Sequence, residues 1–471
     1  MSDTAQLDDQ ITPDSTIPVR DEEGHLNPAF IAAVEEAIEA SDSFRVRQLA
    51  GSLHEADSGD LIESLSEAER PAYVRLLGDD FDFTALTETD DAIRLKLLEE
   101  LTNEDIAEGL GDLDSDDAVY ILEDLDAEDR AEILGELPYA ERVQLQKSLD
   151  YPEESAGRRM QTEFIAVAPF WTIGQTIDYM REARDLPDSF YEIYVVDPSF
   201  HLLGAVALDK VLRTKRDEKV TSIMTETRHA VLATEDQEEV ARRFERYNLV
   251  SSAVVDENDR LVGIITVDDI VDVIQEEAEE DLRALAGVGD EEISDSVVTI
   301  ARSRLTWLVV NLGTAVLASV VIALFEDTIE AMVALAVLMP IVASMGGNAG
   351  TQTMTVAVRG IATQELGARN MFRVLRREVL VGFVNGIALA ILIGLTAWAW
   401  FQSPGLGFVI GGAIVINMLF AGLSGLLIPI ALDKLDIDPA IASSVFVTTV
   451  TDVVGFFAFL GIAALWFGLP F

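Results

Sequence analysis

The stretch TTVTDVVGFF, Thr448 to Phe457, sets one carboxylate, Asp452, inside an apolar run from about Pro439 to Phe467. A run of that length crosses a bilayer. An ionised Asp at the centre of a spanning helix costs about 2.5 kcal/mol or more. No Arg or Lys lies deep in any apolar run of the chain to neutralise it. The carboxylate therefore calls for a mobile cation, a proton or a symmetry-related copy as its partner. Intramembrane aspartyl proteolysis needs two carboxylates and a substrate gate, and one carboxylate per chain argues against it. A cation pathway fits best. Mg²⁺ holds its first-shell waters tightly, so a site for it can present oxygens to the hydrated ion. Two copies of Asp452 across a twofold axis would double the negative charge there.

Two further constellations could do related chemistry. In VDDIVDVIQEEAEEDLRAL, from Val267, the acids Asp269, Asp272, Glu276, Glu277, Glu280 and Asp281 recur at spacings of three and four. One helix face then carries a ladder of like charge, which is destabilising by itself and which a divalent cation would relieve. On composition alone a merely solvated face comes first and a metal site second. Asn348 and Gln352 lie in PIVASMGGNAGTQT, where Pro340, Gly346, Gly347 and Gly350 loosen the helix. Small residues let membrane helices approach closely, and local unwinding is tolerated only against protein or a wet cavity. For Asn348 an ordinary interhelical hydrogen bond and a pore-lining role are equally open.

The elements that must position these residues divide sharply near residue 300 of the 471. Residues 1–300 hold 74 Asp+Glu against 25 Lys+Arg, and residues 301–471 hold 9 against 8, so nearly all of the net charge of −50 lies in the first part. Only 6 of the 33 bases are Lys. Such a surface repels itself at low salt and suits concentrated counterions, which points to a salt-in halophilic source. With no basic patch, nucleic acid is excluded as a partner. The absence of cysteine removes disulfides and thiolate chemistry. The N-terminus lacks a basic region followed by an apolar core, so no signal peptide is expected and the first 300 residues are placed in the cytoplasm.

After an acidic tail, residues 1–27, leucines recur every 12 residues: Leu53, Leu65 and Leu77, then Leu101, Leu113, Leu125, Leu137 and Leu149. Each unit, as in LGDLDSDDAVYI, opens with Ser or Asp and acids before apolar residues at i, i+3 and i+4. That is N-cap chemistry starting a short amphipathic helix, and such helices stack into a solenoid; a single irregular helical bundle is the alternative for residues 28–157. Next, VVDPSFHLLGAVALDKVL (Val195–Leu212) and VVDENDRLVGIITVDDIV (Val254–Val271) align without a gap at an offset of 59. Each reads strand, turn, strand through a glycine, then helix. The pair resembles tandem CBS domains, here 158–220 and 221–274, followed by the acidic helix and linker, 268–300.

Five apolar runs fill residues 301–471: Leu305–Phe325, Ala331–Ala357, Val379–Phe401, Phe408–Leu432 and Pro439–Phe467. Arg302, Arg304, Arg359, Arg369, Arg373, Arg376, Arg377 and Lys434 all fall on one side, and the connections EDTIE and QSPGLG carry no base. This charge asymmetry predicts a multi-pass protein of the cytoplasmic membrane with its N-terminus inside and C-terminus outside.

This order of parts, with GGNAGTQ, DPAIASSVFVTTVTDVVG and the junction YPEESAGRRM, resembles the MgtE family of magnesium channels over nearly the whole chain after the tail. The fold class is a multi-domain membrane protein: an all-α superhelical N-domain, an α/β tandem CBS module, an acidic connecting helix and an α-helical five-span transmembrane domain. The resemblance implies a homodimeric Mg²⁺-selective channel, not an enzyme, with no protein substrate and with the pore lined by the second and fifth spans. Asp452 then matches the pore carboxylate, with Asn348 and the backbone near Thr448 beside it. Asp269, Asp272, Glu277, Glu280, Asp281, Glu238 and Asp116 match acids that bind regulatory Mg²⁺ and hold the pore shut, and Asp438 matches the membrane-side partner of the connecting helix. ATP is a further ligand implied for the CBS module, without an assigned stacking residue. The chain departs from the family at Ser444–Val445, where an amide side chain is missing, at Asn248, where a CBS acid is expected, and at Tyr120, in place of a second acid. A broader divalent transporter for Mn²⁺, Co²⁺ or Ni²⁺ and a non-conducting CBS sensor are the competing readings.

Overall fold

The computed structural model describes residues 17–183, 186–187, 189–226, 229–288, 297–367, 370–435 and 437–470. Arg369, residues 1–16 of the tail and residues 289–296 of the expected linker lie outside the described residues. The chain forms two compact units that divide at Ile274/Gln275.

Among the described residues the first unit opens with nine α-helices: α1 (Pro28–Glu39), α2 (Ser43–Ala50), α3 (Glu55–Ser64), α4 (Arg70–Leu77), α5 (Asp91–Glu100), α6 (Asn103–Leu110), α7 (Ser115–Glu123), α8 (Ala127–Glu136) and α9 (Tyr139–Leu149). Asp42, Asp90, Thr102 and Asp126 side chains cap α2, α5, α6 and α8 by accepting from first-turn amides. Helix α7, which opens in LGDLDSDDAVYI, has no side-chain cap bond at Asp114. Alternate helices lie side by side, α2 on α4, α6 on α8 and α7 on α9, as a stacked helical repeat requires. Leu65, Leu77, Leu101, Leu125, Leu137 and Leu149 are buried in one core, with Leu53 and Leu113 packed against it.

One charge is sealed inside this domain. Arg94 of α5 is 1% exposed. Its guanidinium ion-pairs with Asp91 and Asp124 and donates to the carbonyls of Leu86 and Thr89 at 3.2 and 3.1 Å. A buried guanidinium is tolerated only when its donors are used in this way.

The CBS pair follows: β1 (Ala166–Val167), α10 (Ile173–Glu182), β2 (Glu192–Val196), β3 (Leu202–Ala207), α11 (Leu208–Arg213), then β4 (Val231–Leu232), α12 (Gln237–Tyr247), β5 (Ser251–Val255) and β6 (Leu261–Thr266). In each half a parallel pair meets an antiparallel hairpin. Val195 pairs with Gly204 and Val254 with Gly263, so the offset of 59 is kept to the register, and both strands carry an irregularity at the next residue. The halves exchange matching hydrogen bonds: Leu202 N donates to Asp259 O at 3.1 Å, and Leu261 N to Phe200 O at 2.9 Å. This is the pseudo-twofold arrangement expected of the repeat.

Helix α13 (Val267–Ala286) leaves β6 directly and ends at Gly287, whose φ of +71° is a left-handed stop. The second unit continues with α14 (Val297–Ala323), the short α15 (Glu326–Ala331), α16 (Ala334–Ala362), α17 (Met371–Phe401), α18 (Pro404–Asp433) and α19 (Pro439–Phe467). Among the described residues, five of these are long and apolar enough to cross a membrane. Helix α18 is central, packed on α16, α17 and α19. One expectation is corrected: Pro340 and the glycines do not interrupt the second span, because α16 is continuous through all of them. The glycines serve close approach instead. A Cβ on Gly350 would lie 2.6 Å from Val447 Cγ1, and one on Gly425 would lie 2.7 Å from Gly350 O.

Replacing Arg94 with Ala strands the Asp124 carboxylate and two carbonyls, so the helical domain should lose about 3 kcal/mol or more. Hydrogen exchange of α5 and α7 amides reads this; unchanged protection would show that the buried network contributes nothing.

Candidate functional site

In the first unit, acids from separate elements converge. Asp116 and Asp117 stand in the first turn of α7, and Asp269 in the first turn of α13. All three are half-buried. Burial, then the charge of Asp269, pushes the Asp117 carboxyl up to about 7 and holds Asp116 well above the usual carboxylate range. Asp269 is itself pushed up to about 6, chiefly by burial and partly offset by Thr266, whose Oγ1 donates to its Oδ2 at 2.7 Å. Asp272, one turn further along α13, is raised by burial and by Asp268, and it in turn helps raise Glu88. Carboxylates so placed repel one another and suit a hard, oxygen-loving cation.

The start of α7 is held from outside the helical domain. Glu163, just before β1, accepts from Ser115 N at 3.2 Å and from Ser115 Oγ at 2.8 Å. Glu163, Asp117 and Glu88 were not singled out from sequence. Asp117 adjoins Asp116 in SDDAV, whereas the other two become informative only through tertiary contact. Glu238 stands in the first turn of α12 with its carboxylate 3.3 Å from Arg242 of the same helix.

The two departures in this unit have structural reasons. Asn248 caps α12 in the left-handed region, φ 51°, a conformation Asn tolerates better than most residues. Tyr120 stacks under Arg94 at 4.6 Å and Arg159 at 5.3 Å, so fixed guanidinium groups adjoin the position where an acid was expected.

In the second unit Glu277, Glu280 and Asp281 are half-buried. The Asp281 carboxyl is raised by burial and then by Asp438. Asp438 caps α19, accepting from Ala440 N at 2.7 Å. Beside this pair, Ala284 of α13 is buried with Met354 and Val358 of α16 and Ala440 and Val447 of α19. The last turns of α13 thus seat on one end of α16 and α19.

Those two helices carry the membrane residues. Asn348 on α16 and Thr448 on α19 are exposed in the single chain, and Asp452 is half-buried. Thr448 Oγ1 donates to Ser444 O at 2.8 Å and keeps its lone pairs open, whereas Thr448 O accepts from Thr451 Oγ1 at 2.9 Å. Among the described residues Asp452 has no ion-pair partner and no side-chain hydrogen bond. Nor, among them, do three or more carboxylates or histidines group closely enough to hold a metal ion unaided. Each cation position would be completed by water or by a second copy of the chain.

Family models match three parts of the chain. Residues 339–462 match the family model of the MgtE divalent cation transporters, 53–154 the MgtE intracellular N domain and 220–276 the CBS domain. The chain is 34% identical over 313 residues to the magnesium transporter MgtE of Bacillus subtilis, covering 66% of this chain and 69% of that protein. With the magnesium transporter MgtE of Thermus thermophilus it shares 36% identity over 317 residues, 66% and 70% of the two chains. A solved cytosolic domain of the Mg²⁺ channel MgtE in complex with ATP aligns at 29% identity and a TM-score of 0.49, covering 52% of this chain and 99% of that one.

Carboxyls raised above their ordinary range favour the assembled state when protonated. For Asp117 and Asp269 that contribution is full below about pH 4 and is lost as pH rises through about 6 to 7. In divalent-free buffer at fixed high salt, amides of α7 and the first turn of α13 should show higher protection factors, corrected for base-catalysed intrinsic exchange, at about pH 5.5 than at about pH 8. Asp117→Asn should flatten the difference; a pH-independent wild type would refute the coupling.

Proposed function

Because this chain belongs to the MgtE family of magnesium transporters, we propose that it is a homodimeric Mg²⁺-selective channel of the cytoplasmic membrane, gated shut by cytosolic Mg²⁺. It is a multi-pass membrane protein and a transporter, not an enzyme. The observation that carries the selective-channel reading is Asp452, a carboxylate on an apolar spanning helix without a protein counter-charge among the described residues. Asn348 and the backbone near Thr448 would supply further oxygens to the hydrated ion.

Gating is proposed to work through like-charged pairs. Bound regulatory Mg²⁺ would supply the positive charge that lets carboxylates approach. Asp116 and Asp117 face Asp269, Asp272 faces Glu88, and Asp281 faces Asp438, so each pair favours separation when both members are ionised. Glu277, Glu280 and Glu238 would take part as additional acids. Because Ala284 and its neighbours on α13 seat against the ends of α16 and α19, drawing the pairs together stabilises the seated helix and closes the path. Ion binding shifts this equilibrium only by as much as it prefers the compact state. Family membership extends the proposal to ATP as a ligand of the CBS module.

The test uses vesicles carrying the full chain with its acidic half on the accessible side. Mg²⁺ flux should fall as Mg²⁺ on that side rises. Asp269→Asn combined with Asp281→Asn should raise the concentration needed for closure about tenfold or more, a coupling of about 1.4 kcal/mol. Flux insensitive to Mg²⁺ on the acidic side would reject the gate while leaving transport intact.

A further inference from the structure

A fully buried amide lies behind the proposed cation site. Asn417, midway along α18, is 0% exposed. Its Nδ2 donates to Val342 O of α16 at 2.9 Å. Its Oδ1 is buried with no hydrogen-bond partner among the described residues. The other buried polar residue of α18, Ser424, bonds within its own helix, to Phe420 O at 2.7 Å, so it ties nothing together.

The amide is seated between two glycines of the helices that carry the cation-site residues. A Cβ on Gly346 of α16 would fall 2.1 Å from Asn417 Nδ2 and 2.9 Å from Oδ1. A Cβ on Gly455 of α19 would fall 2.7 Å from the same Nδ2. Neither position can carry a side chain while the amide stays in place. One turn further, Gly350 of α16 meets Val447 and Thr451 of α19. Gly346 and Gly350 are buried, and Asn348 between them is exposed; Thr451 and Gly455 are buried, and Asp452 between them is half-buried. Asn348 therefore lies on the side of α16 opposite the Gly346–Gly350 contact, and Asp452 lies about a quarter-turn round α19 from the contact face of Val447, Thr451 and Gly455.

The geometry points to Asn417 as a positioning residue for ion selection: its amide, wedged between Gly346 and Gly455 and bonded to Val342 O, sets the axial and rotational register of α16 against α19. That register sets the spacing of Asn348 and Asp452. In hydrocarbon the Asn417–Val342 bond cannot be exchanged for one to water, so it holds the register firmly. A hydrated ion is selected by the spacing of the oxygens that meet its waters, so slack in the register changes which ions pass. The inference rests on the pore reading above and names a residue that touches no ion.

The experiment measures Mg²⁺, Mn²⁺, Co²⁺ and Ni²⁺ flux through the full chain in lipid vesicles, normalised to folded protein by size exclusion and thermal melting. Asn417→Leu keeps the volume and removes the bond, Gly455→Ala crowds the amide from α19, and Asn417→Ser keeps a small donor. Asn417→Leu and Gly455→Ala should each lower Mg²⁺ flux per folded protein about tenfold and raise the Ni²⁺ to Mg²⁺ ratio about threefold or more, as sub-ångström to 1 Å misplacement does elsewhere. Asn417→Ser should fall between them and wild type. Folded variants that keep the wild-type ratio would overturn the inference, as would flux lost only in proportion to folded protein or a failure of all three to fold, either of which makes Asn417 a packing residue alone. A wild type that passes no Mg²⁺ would instead remove the pore reading; a conducting wild type with indifferent variants removes only this inference.

Discussion

A carboxylate on a membrane-spanning helix with no fixed positive partner is the constraint on which the rest of this structure depends. Burying such a group costs several kcal/mol, and nothing in the described residues offsets it by ion pairing. Helix α19 could have carried an amide or an alanine at position 452 at far lower cost. The chain instead keeps Asp452 and arranges α16 and α19 around it through glycine contacts at Gly346, Gly350 and Gly455. On the proposed reading the cost would be offset whenever a hydrated cation stands beside the carboxylate. A fixed arginine would satisfy the carboxylate permanently and exclude the ion.

The acids around α13 obey the same electrostatics in a different setting. Asp269 faces Asp116 and Asp117, and Asp281 faces Asp438; burial raises the carboxyls of Asp116, Asp117, Asp269 and Asp281. These contacts are unfavourable as long as both partners are ionised, so they store a tendency to separate. Elsewhere in the first unit, acids and an aromatic ring are met by fixed cations: Arg94 with Asp91 and Asp124, and Arg94 and Arg159 against Tyr120.

Much of this was legible in the sequence because it rests on periodicity. Five apolar runs, leucines at every twelfth residue and a repeat at an offset of 59 each state a local rule, and the Val195–Gly204 and Val254–Gly263 pairings follow the last of them to the residue. The acidic ladder on α13 was visible as a spacing, but which of its members meet other acids was not, since that depends on where α7 and the start of α19 lie. Glu88, Glu163 and Asn417 carried no signal at all. A single Asn in an apolar run and two more acids in a chain with 83 of them look ordinary, and their roles arise only where three elements meet. The glycines of α16 were misread as points of unwinding because Gly permits both a broken helix and a close approach, and only the neighbours Asn417 and Val447 decide between them.

The central claim is that the counter-charge of Asp452 is the transported ion. It is tested most directly by Mg²⁺ flux through vesicles holding equal amounts of folded wild type, Asp452→Asn and Asp452→Glu chains. The amide, equal in size and without charge, should lose nearly all Mg²⁺ flux, and the longer carboxylate should keep a measurable part of it. Undiminished flux through Asp452→Asn would contradict that claim.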